Sequence, residues 1–443
     1  MRPLLLGIAL FWCAQPARLA AQDKTVTVTI TADKADYHNT PVSIPLQLPA
    51  SFAKFTYARL SGDGQNLVGQ LTAPGITTER LAQPAKGKVR RDLHVVVSSL
   101  KKGATLTLTA KLFEFDFAPD PTGFVWSLFK DRLPELEFSK VAGIERRPVL
   151  RYMNAPFDDS SPDRRDRTYK VFHHLFDPDG KRLVTNGGQT DLKEGEKRKL
   201  LYPHHRGIMF GFNKCSYGEG LKKKADTWHC PPKGDNYAYV AHEKDLNQEA
   251  GPLLGRHRVQ IGWHGQGKER FVEEERELTA YNLPGGTLVE FASRLKTTGG
   301  KVRLDGDPQH AGFQFRASND VADKTKKETY YLHPDGKGEF GKERNWDPKT
   351  KQGPVDLPWY AMSFVLDGQR YTVCYLNHPH NPKESRFSER DYGRFGCYFE
   401  YNLTEEHPLV VNYRLWLQKG EMTAEQAQSL YDGFAAGPKG MMK

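Results

Sequence analysis

The chain has 443 residues, of which 38% are hydrophobic and 27% are charged, and its formal net charge is +10 at pH 7. This length allows two or three domains, and the hydrophobic fraction is large enough to form real cores. The basic residues fall in separate short runs, for example Lys86–Arg91 and Lys222–Lys224. Nucleic-acid-binding proteins gather such residues on one face with aromatic residues between them. The charge pattern therefore indicates solvated loops, and nucleic acid is not an expected partner.

Residues 1–21 have the features of a secretory signal peptide. Arg2 precedes an apolar run, and small residues stand before Gln22. The run is too short to span a bilayer, and no later run is long enough. The sequence therefore predicts a periplasmic or secreted protein that has no transmembrane segment after the signal is cleaved.

Four cysteines follow the predicted signal peptide, and an even number in an oxidising compartment permits two disulfides. We expect at least one disulfide. The pair that we favour is Cys215–Cys230, because it would tether a loop rich in glycine and lysine. Cys374 and Cys397 lie in apolar strand contexts, so they either pair with each other or remain buried thiols.

The first folded unit is expected over residues 22–118. Thr25–Ile30 and Thr105–Leu112 alternate strictly between polar and apolar residues, which is the period of a half-buried strand. Turns at Gly62–Gly64 and Lys101–Gly103 separate the apolar runs. This pattern predicts a small N-terminal β-sandwich domain.

The rest of the chain is expected to be mostly β-strand as well. Residues 119–145 are predicted to be a linker with a short helix over Phe124–Phe129. Residues 146–418 contain many short apolar runs and almost no helical periodicity, which predicts one large antiparallel β-sandwich. Residues 419–443 should hold a C-terminal helix and a tail, because Thr423 can cap a helix that runs to Phe434. The predicted fold class is all-β.

The segment with the most chemical potential is Tyr202–Asn213. His204, His205 and Arg206 stand there before a glycine-interrupted apolar run, and Trp228–His229 follow after a short loop. Imidazole can act as an acid, a base or a metal ligand near neutral pH, and a guanidinium binds carboxylates or hydroxyls. If the segment is extended, one of the adjacent histidines faces a cleft and the other packs or faces solvent.

Similar side chains recur in three later segments. His310–Arg316 places an imidazole at a strand entrance and a guanidinium on a strand face, Asn377–Pro382 is a loop with two histidines, and Arg390–Gly396 returns to a strand. Histidine, arginine, asparagine and tyrosine near tryptophans are typical of a sugar pocket, because they offer donors for hydroxyls and flat apolar faces for ring C–H groups.

Four of these motifs, in this order, resemble a family named after methane oxygenase PmoA: Pro203–Gly207, His310–Arg316, His378–Pro382 and Arg390–Gly393. The resemblance covers roughly residues 146–417. It implies a secreted bacterial protein of largely unknown function with a β-sandwich fold, similar to the supersandwiches of galactose-mutarotase type. The family name implies methane oxidation, which we discount because this chain lacks the membrane spans of that oxygenase subunit.

The sequence leaves three functions open. The one that we favour is a carbohydrate-active enzyme, a hydrolase, lyase or epimerase, in which a histidine moves protons beside a carboxylate such as Glu275 or Asp391. The second is a histidine-liganded metal site of the copper oxygenase type, for which His378 and His380 have i, i+2 spacing. The third is a non-catalytic glycan-binding protein. No particular metal or other cofactor is identified.

For the site itself, we predict that eight side chains mostly line one pocket for a small-molecule or oligosaccharide ligand. The arginines would anchor hydroxyl or carboxylate groups, unless they instead tie loops together through carboxylates. The predicted catalytic residues are His205, His310 and His378. The predicted substrate-binding residues are Arg206, His229, Arg316, Arg390 and Tyr392.

Overall fold

The structure, a computed structural model, describes residues 24–79, 84–114, 122–140, 145–188 and 200–443. The predicted signal peptide lies outside the described residues. Regular structure in the described part is dominated by β-strands in four antiparallel sheets, which confirms the all-β prediction. Two short helices and a few single helical turns complete it.

Strands follow one another along most of the described chain. The first part contains β1 (Thr25–Thr31), β2 (Tyr37–Pro49), β3 (Tyr57–Gly62), β4 (Gln65–Thr72), β5 (Lys88–Leu100) and β6 (Thr105–Phe113). The middle part contains β7 (Gly123–Phe129), β8 (Leu133–Ser139), β9 (Arg146–Met153), α1 (Pro162–Thr168), β10 (Phe172–Leu175), β11 (Ile208–Phe212), β12 (Lys214–Tyr217), β13 (Lys223–Ala225), β14 (Tyr239–Ala250), β15 (Leu254–His264), β16 (Arg270–Leu283), β17 (Gly286–Thr297), β18 (Val302–Asp305) and β19 (Ala311–Arg316). The last part contains β20 (Tyr330–His333), β21 (Gly336–Lys337), β22 (Trp359–Leu366), β23 (Gln369–Asn377), β24 (Arg386–Arg390), β25 (Arg394–Tyr398), β26 (Tyr401–Leu403), β27 (Leu409–Lys419), α2 (Ala424–Ala435) and β28 (Lys439–Met442). The single turns are 3₁₀ at Ala50–Phe52, Lys130–Arg132, Glu219–Leu221 and Lys326–Glu328, and π at Val321–Thr325.

The N-terminal strands form a seven-stranded sheet in the order β2-β5-β4-β3-β6-β1-β28. The alternating runs predicted as strands are strands β1 and β6, and they pair with each other. Their apolar residues, such as Ile30 and Leu108, are fully buried in one core. The last strand of the chain, β28, pairs with β1, so the C-terminal tail completes this sheet.

Two larger sheets make up the main body of the molecule. One has eight strands in the order β24-β25-β19-β11-β10-β9-β8-β7, and the other has nine in the order β14-β15-β16-β17-β27-β23-β22-β20-β21. Their inner faces pack on each other: the ring of Phe313 in β19 lies 4.5 Å from Phe291 in β17 and 4.6 Å from Tyr413 in β27. This is a large antiparallel β-sandwich, and its likeness to a mutarotase supersandwich remains a prediction.

A small four-stranded sheet has the order β13-β12-β18-β26. It contains β13, which precedes the loop with His229, and β18, which precedes the loop with His310. Lys214–Tyr217 follows almost directly on β11, and β18 is followed by the turn that leads to β19. The loop after β13 leads to β14 of the nine-stranded sheet, and the loop after β18 leads to β19 of the eight-stranded sheet. Both loops bond to the end of β11, where Thr227 N donates to the Phe212 carbonyl and Asn213 N donates to the His310 carbonyl.

The predicted C-terminal helix is confirmed as α2. The Thr423 side chain accepts a hydrogen bond from the Gln426 backbone, and the Gln426 side chain accepts one from the Thr423 backbone, which is a capping box. The helix packs on the nine-stranded sheet, where Trp359 donates to Gln428 and the Arg414 guanidinium lies over the Phe434 ring.

The predicted helix over Phe124–Phe129 is wrong, because this segment is strand β7. It pairs with β8 over its whole length. Phe124 packs on Phe138, and the Trp126 indole donates to the Glu249 carbonyl. Pairing with a neighbouring strand thus decided the conformation of an apolar run too short to show a clear period.

The predicted Cys215–Cys230 disulfide is also wrong, since all four described cysteines are free, buried thiols. The Cys215 sulfur points into the core, 3.6 Å from the Phe212 carbonyl and 3.9 Å from the Thr227 hydroxyl. Burial raises the pKa of the Cys230 thiol to about 12. The loop between them is tied instead by strand pairing between β12 and β13.

No helix in the described ranges is both long and apolar enough to cross a membrane.

Candidate metal centre

Three loops place histidines beside one another next to the large sandwich. The first loop precedes β11 and carries His204, and its Gly207 has φ 47°. A Cβ at Gly207 would lie 2.2 Å from the His173 carbonyl of β10, so only glycine allows this approach of loop and strand. The second loop follows β13 and carries His229. The third precedes β19 and carries His310.

The three histidines form a compact group, which we call the three-histidine cluster (His204, His229 and His310). One ligand atom of each lies within 4.8 Å of those of the other two. The ring of His229 lies 4.6 Å from each of the other two rings. All three side chains are partly buried. Bond lengths of about 2.0–2.1 Å place ligand nitrogens of a tetrahedral zinc site roughly 3.3 Å apart, so small side-chain rotations would bring these nitrogens to that spacing.

Two of the histidines are oriented by carboxylates. His229 Nδ1 lies 2.8 Å from Asp226 Oδ2, and His310 Nδ1 lies 3.0 Å from Asp307 Oδ1. A carboxylate that accepts from Nδ1 fixes the tautomer in which Nε2 carries the lone pair, as is usual for metal-bound histidines. The aspartates are themselves fixed, because Asp226 Oδ1 accepts from two backbone N–H groups and Asp307 accepts from Asn213.

The electrostatics of the cluster favour a neutral imidazole at His204. Burial lowers the pKa of His204 to about 2, and the nearby ammonium group of Lys170 acts in the same direction. Burial acts to raise the pKa of Asp307, but the interactions with His310 and the hydrogen bonds from Gln309 N and Asn213 together outweigh this effect, and the pKa falls to about 2. His204 Nε2 is buried and has no hydrogen-bond partner among the described residues. A metal ion needs such neutral, unoccupied nitrogens.

A cleft of about 520 Å³ opens at the cluster. It lies between the N-terminal end of α1 and the loops that carry His204 and His229. Its walls offer hydroxyl, carboxylate and guanidinium groups together with proline and tyrosine surfaces. The lining residues are Asp159, Ser160, Ser161, Pro162, Arg165, Asp166, Tyr169, Pro203, His204, His229, Cys230 and Pro232.

Several of the predicted site residues lie at or next to the cluster. His229 and His310 belong to it. His205 is buried behind it, with its ring 4.3 Å from His204 and stacked at 5.4 Å on His310. The Tyr392 ring lies 6.5 Å from that of His205. Burial lowers the pKa of His205 well below its ordinary value, so this imidazole is neutral.

Two predicted binding arginines are fully buried and hold the loops in place. Arg206 pairs with Asp166 at 3.1 Å and lies over the Tyr169 ring. Arg316 donates to the carbonyls of Ala317 and Tyr392 and lies over the Tyr392 ring. Neither guanidinium is among the groups that line the described cleft. Arg206 thus matches the alternative predicted from the sequence, in which an arginine ties loops together through a carboxylate, whereas Arg316 ties loops together through backbone carbonyls.

The remaining predicted residues lie elsewhere. The His378 ring packs against His380 and Phe434, next to α2. Arg390 pairs with Glu343 at 2.8 Å at the end of β24, the edge strand of the eight-stranded sheet. Glu275 accepts from Arg258 and Arg294 on the nine-stranded sheet. The single pocket predicted from eight side chains therefore does not form, because the loop after β23 places His378 against α2 and the Arg390 side chain is held by Glu343.

The sequence contains a signal for this cluster that our predictions did not use. Asp226–His229 and Asp307–His310 both have the spacing Asp-x-x-His. In each, the aspartate caps a turn and the histidine three residues later returns to it. Lys170 and Asp166, by contrast, carry no local signal, since their partners are far away in sequence.

Residues 141–432 match a family described as a family of unknown function (DUF6807). The chain belongs to this family. The match corrects the resemblance to the PmoA family, because the family found here has no evident link to PmoA. Two of the motifs that suggested it contain Gly207 and Arg316, which serve strand packing and loop fixation. Short motifs of this kind report local packing as much as chemistry.

Other comparisons give no further assignment for this DUF6807 member. No curated protein matches the chain. Among solved structures, OccK7 (OpdD) of Pseudomonas aeruginosa aligns with a TM-score of 0.14 and 11% identity, over 89% of this chain and 97% of that chain. OccAB4 of Acinetobacter baumannii aligns with a TM-score of 0.11 and 8% identity, over 87% of this chain and 98% of that chain. Scores this low carry no argument.

Proposed function

We propose that the protein is a metal-dependent hydrolase that cleaves an ester on a saccharide, with zinc held by the three-histidine cluster. One observation carries the proposal: three imidazoles with ligand atoms within 4.8 Å of one another stand beside a cleft. Catalytic zinc sites have three protein ligands and an open fourth position, whereas structural sites fill all four. The carboxylates of Asp226 and Asp307 match the outer partners of such ligands.

The bound metal would supply Lewis acidity and a water of lowered pKa. Asp166 is the carboxylate that we assign as proton acceptor, because the residue lines the cleft and its Oδ2 is buried without a hydrogen-bond partner among the described residues. Arg206 holds the other oxygen at 3.1 Å. In the reaction, the water oxygen bonds to the ester carbonyl carbon and a proton passes to Asp166. The bond from that carbon to the saccharide oxygen then breaks, and the proton passes to this oxygen, which releases an acid and an alcohol.

The walls of the cleft favour an uncharged substrate over a phosphorylated one. Phosphoryl transfer sites use several cations to clamp the phosphate oxygens. Among the residues that line this cleft, the positive charge of Arg165 is accompanied by the two carboxylates of Asp159 and Asp166. A carbonyl ester is therefore the bond that we assign. The saccharide that carries it, and export of the protein, are predictions from the sequence that the proposal retains.

The test is a metal analysis of protein purified without a histidine tag. We expect about one zinc ion per chain after equilibration with zinc, and release of acetate from acetylated oligosaccharides. His204→Ala and His310→Ala should lose both. His378→Ala is the matched control, because it removes an imidazole from a histidine pair outside the cluster, and it should keep both.

Several results would contradict the proposal. A wild-type protein that binds no metal, or a His204→Ala variant that binds zinc as the wild type does, rules out the three-histidine centre. Copper in place of zinc would favour the oxygenase-type alternative from the sequence. Zinc binding without acetate release from any acetylated oligosaccharide would remove the hydrolase assignment.

A further inference from the structure

An exposed aromatic ring stands next to the three-histidine cluster. Tyr202 has 46% of its surface accessible. Its ring centroid lies 6.0 Å from the rings of both His204 and His205. Tyr202 directly precedes Pro203 and His204, which line the cleft, so the exposed ring lies beside the proposed metal centre. Large aromatic side chains are normally buried for most of their surface.

The backbone at Tyr202 is in the left-handed region, with φ 51°. A side chain other than glycine is held in such a conformation only where the surroundings enforce it. The surroundings do so here. His205 N donates to the Tyr202 carbonyl at 3.0 Å, and Arg316 donates to the carbonyl of Leu201 at 3.5 Å. Residues in this kind of conformation concentrate at ligand sites.

A second aromatic ring supports the exposed one from behind. The Tyr392 ring lies 5.2 Å from the Tyr202 ring, and the Arg316 guanidinium lies 4.8 Å from the centroid of Tyr392. Tyr392 and Arg316 are both buried. The Tyr202 ring is therefore fixed on one side and open on the other, which is the form of a stacking platform rather than of a mobile surface residue.

The chemistry around the platform suits a saccharide. A sugar ring has an apolar C–H face that packs on an aromatic ring and hydroxyls at its edge that need polar partners. The cleft offers the hydroxyls of Ser160 and Ser161, the carboxylates of Asp159 and Asp166, and Arg165. These groups have no excess of positive charge that would select a polyanion.

We propose that Tyr202 is a stacking subsite for a sugar ring, which positions an ester on that sugar or its neighbour at the three-histidine cluster. Only the positioning of the ester at the three-histidine cluster rests on the proposed function. Binding of the sugar ring itself does not require the metal.

The test measures binding by isothermal titration calorimetry on the full chain equilibrated with zinc. The probes are xylohexaose, mannohexaose, cellohexaose and chitohexaose. We expect at least one probe to bind the wild type, Tyr202→Ala to bind it about tenfold more weakly, and Tyr202→Phe to retain its affinity. Phe340→Ala is the control, because Phe340 is 51% exposed and belongs to neither the cluster nor the cleft.

Metal content is measured on the same samples, so the two proposals fail separately. If the wild type binds none of the four probes, with or without zinc, or if Tyr202→Ala binds as tightly as the wild type, the subsite is wrong. If Tyr202→Phe weakens binding as much as Tyr202→Ala, ring stacking is not the cause and the subsite is again wrong. A Tyr202-dependent affinity in protein that takes up no zinc leaves the subsite standing and removes the proposed metal centre.

Discussion

Lys170 connects two of the loops that carry the histidines. Its ammonium group donates to the carbonyl of His204 at 2.6 Å and to the carbonyl of Trp228, which precedes His229. The side chain is buried, and burial lowers the pKa of Lys170 to about 7. Its position before β10 lets it span both loops, so it sets the spacing between two proposed ligands without touching a substrate.

We expect Lys170→Met to lower zinc affinity by about 10- to 100-fold, as the loss of outer partners does in other metal sites. The two carbonyls would lose their common donor, and the loops would move apart. Competition with a zinc-binding dye measures this affinity.

Arg91→Met is the matched control for Lys170→Met. Arg91 also donates to two backbone carbonyls, those of Phe55 and Leu71, but in the N-terminal sheet. It should lower the melting temperature and leave zinc affinity unchanged. Equal zinc affinity in Lys170→Met and wild type would show that Lys170 does not position the ligands.

At the scale of elements, the three-histidine cluster depends on how closely the loop before β11 approaches β10. Gly207 makes this approach possible, because it is left-handed and a Cβ there would overlap the His173 carbonyl. The same residue determines where His204 lies three positions earlier. A glycine at position 207 is therefore needed both for the close approach of this loop to β10 and for the position of His204.

We expect Gly207→Ala to lower the free energy of unfolding by about 3 kcal/mol, from the left-handed backbone and the added clash together. Urea denaturation measures the change. Gly64→Ala is the control, because Gly64 has φ 72° and a methyl group added there would have no other heavy atom within 4 Å. It should lose only about 1 kcal/mol, the cost of the backbone conformation alone. Equal losses in the two variants would show that the close approach is not needed.

At the scale of the whole molecule, buried histidines make stability depend on pH. Burial lowers the pKa of His174 to about 3, and the charges of Arg151 and Arg206 add to this effect. Burial also lowers the pKa of His94 well below its ordinary value. Their pKa in the unfolded chain is about 6.5. Below that pH, only the unfolded chain takes up these protons, so the stability present above about pH 6.5 is lost as the pH falls toward the folded pKa.

We therefore expect the free energy of unfolding to fall between about pH 7 and pH 5, with each such histidine contributing up to about 1.4 kcal/mol per pH unit. Urea denaturation at several pH values gives the slope. His174→Gln removes one titrating group and should make the slope shallower by that amount. A slope that is unchanged in His174→Gln would mean that His174 is protonated in the folded chain.

Local patterns in the sequence were enough for the fold class. Thr25–Ile30 and Thr105–Leu112 repeat every two residues, and a strand with one buried face requires this period wherever it lies. The capped helix after Thr423 also follows from neighbouring residues alone. Phe124–Phe129 was too short to distinguish helix from strand, and only its pairing with β8 decided it.

The histidines were visible in the sequence, but their grouping was not. In Asp226–His229 and Asp307–His310, a local turn brings the histidine back to the aspartate. The Asp-x-x-His spacing alone therefore indicates these two histidine–carboxylate contacts. Whether His204 or His205 joins them depends on how the loop before β11 folds back, and His378 is excluded only because β23 ends beside α2. Neighbouring residues specify many of the strands, the terminal helix and the chemical type of the side chains. Which of these side chains meet follows from the packing of the sheets, because no local interaction can bring together residues that lie far apart along the chain.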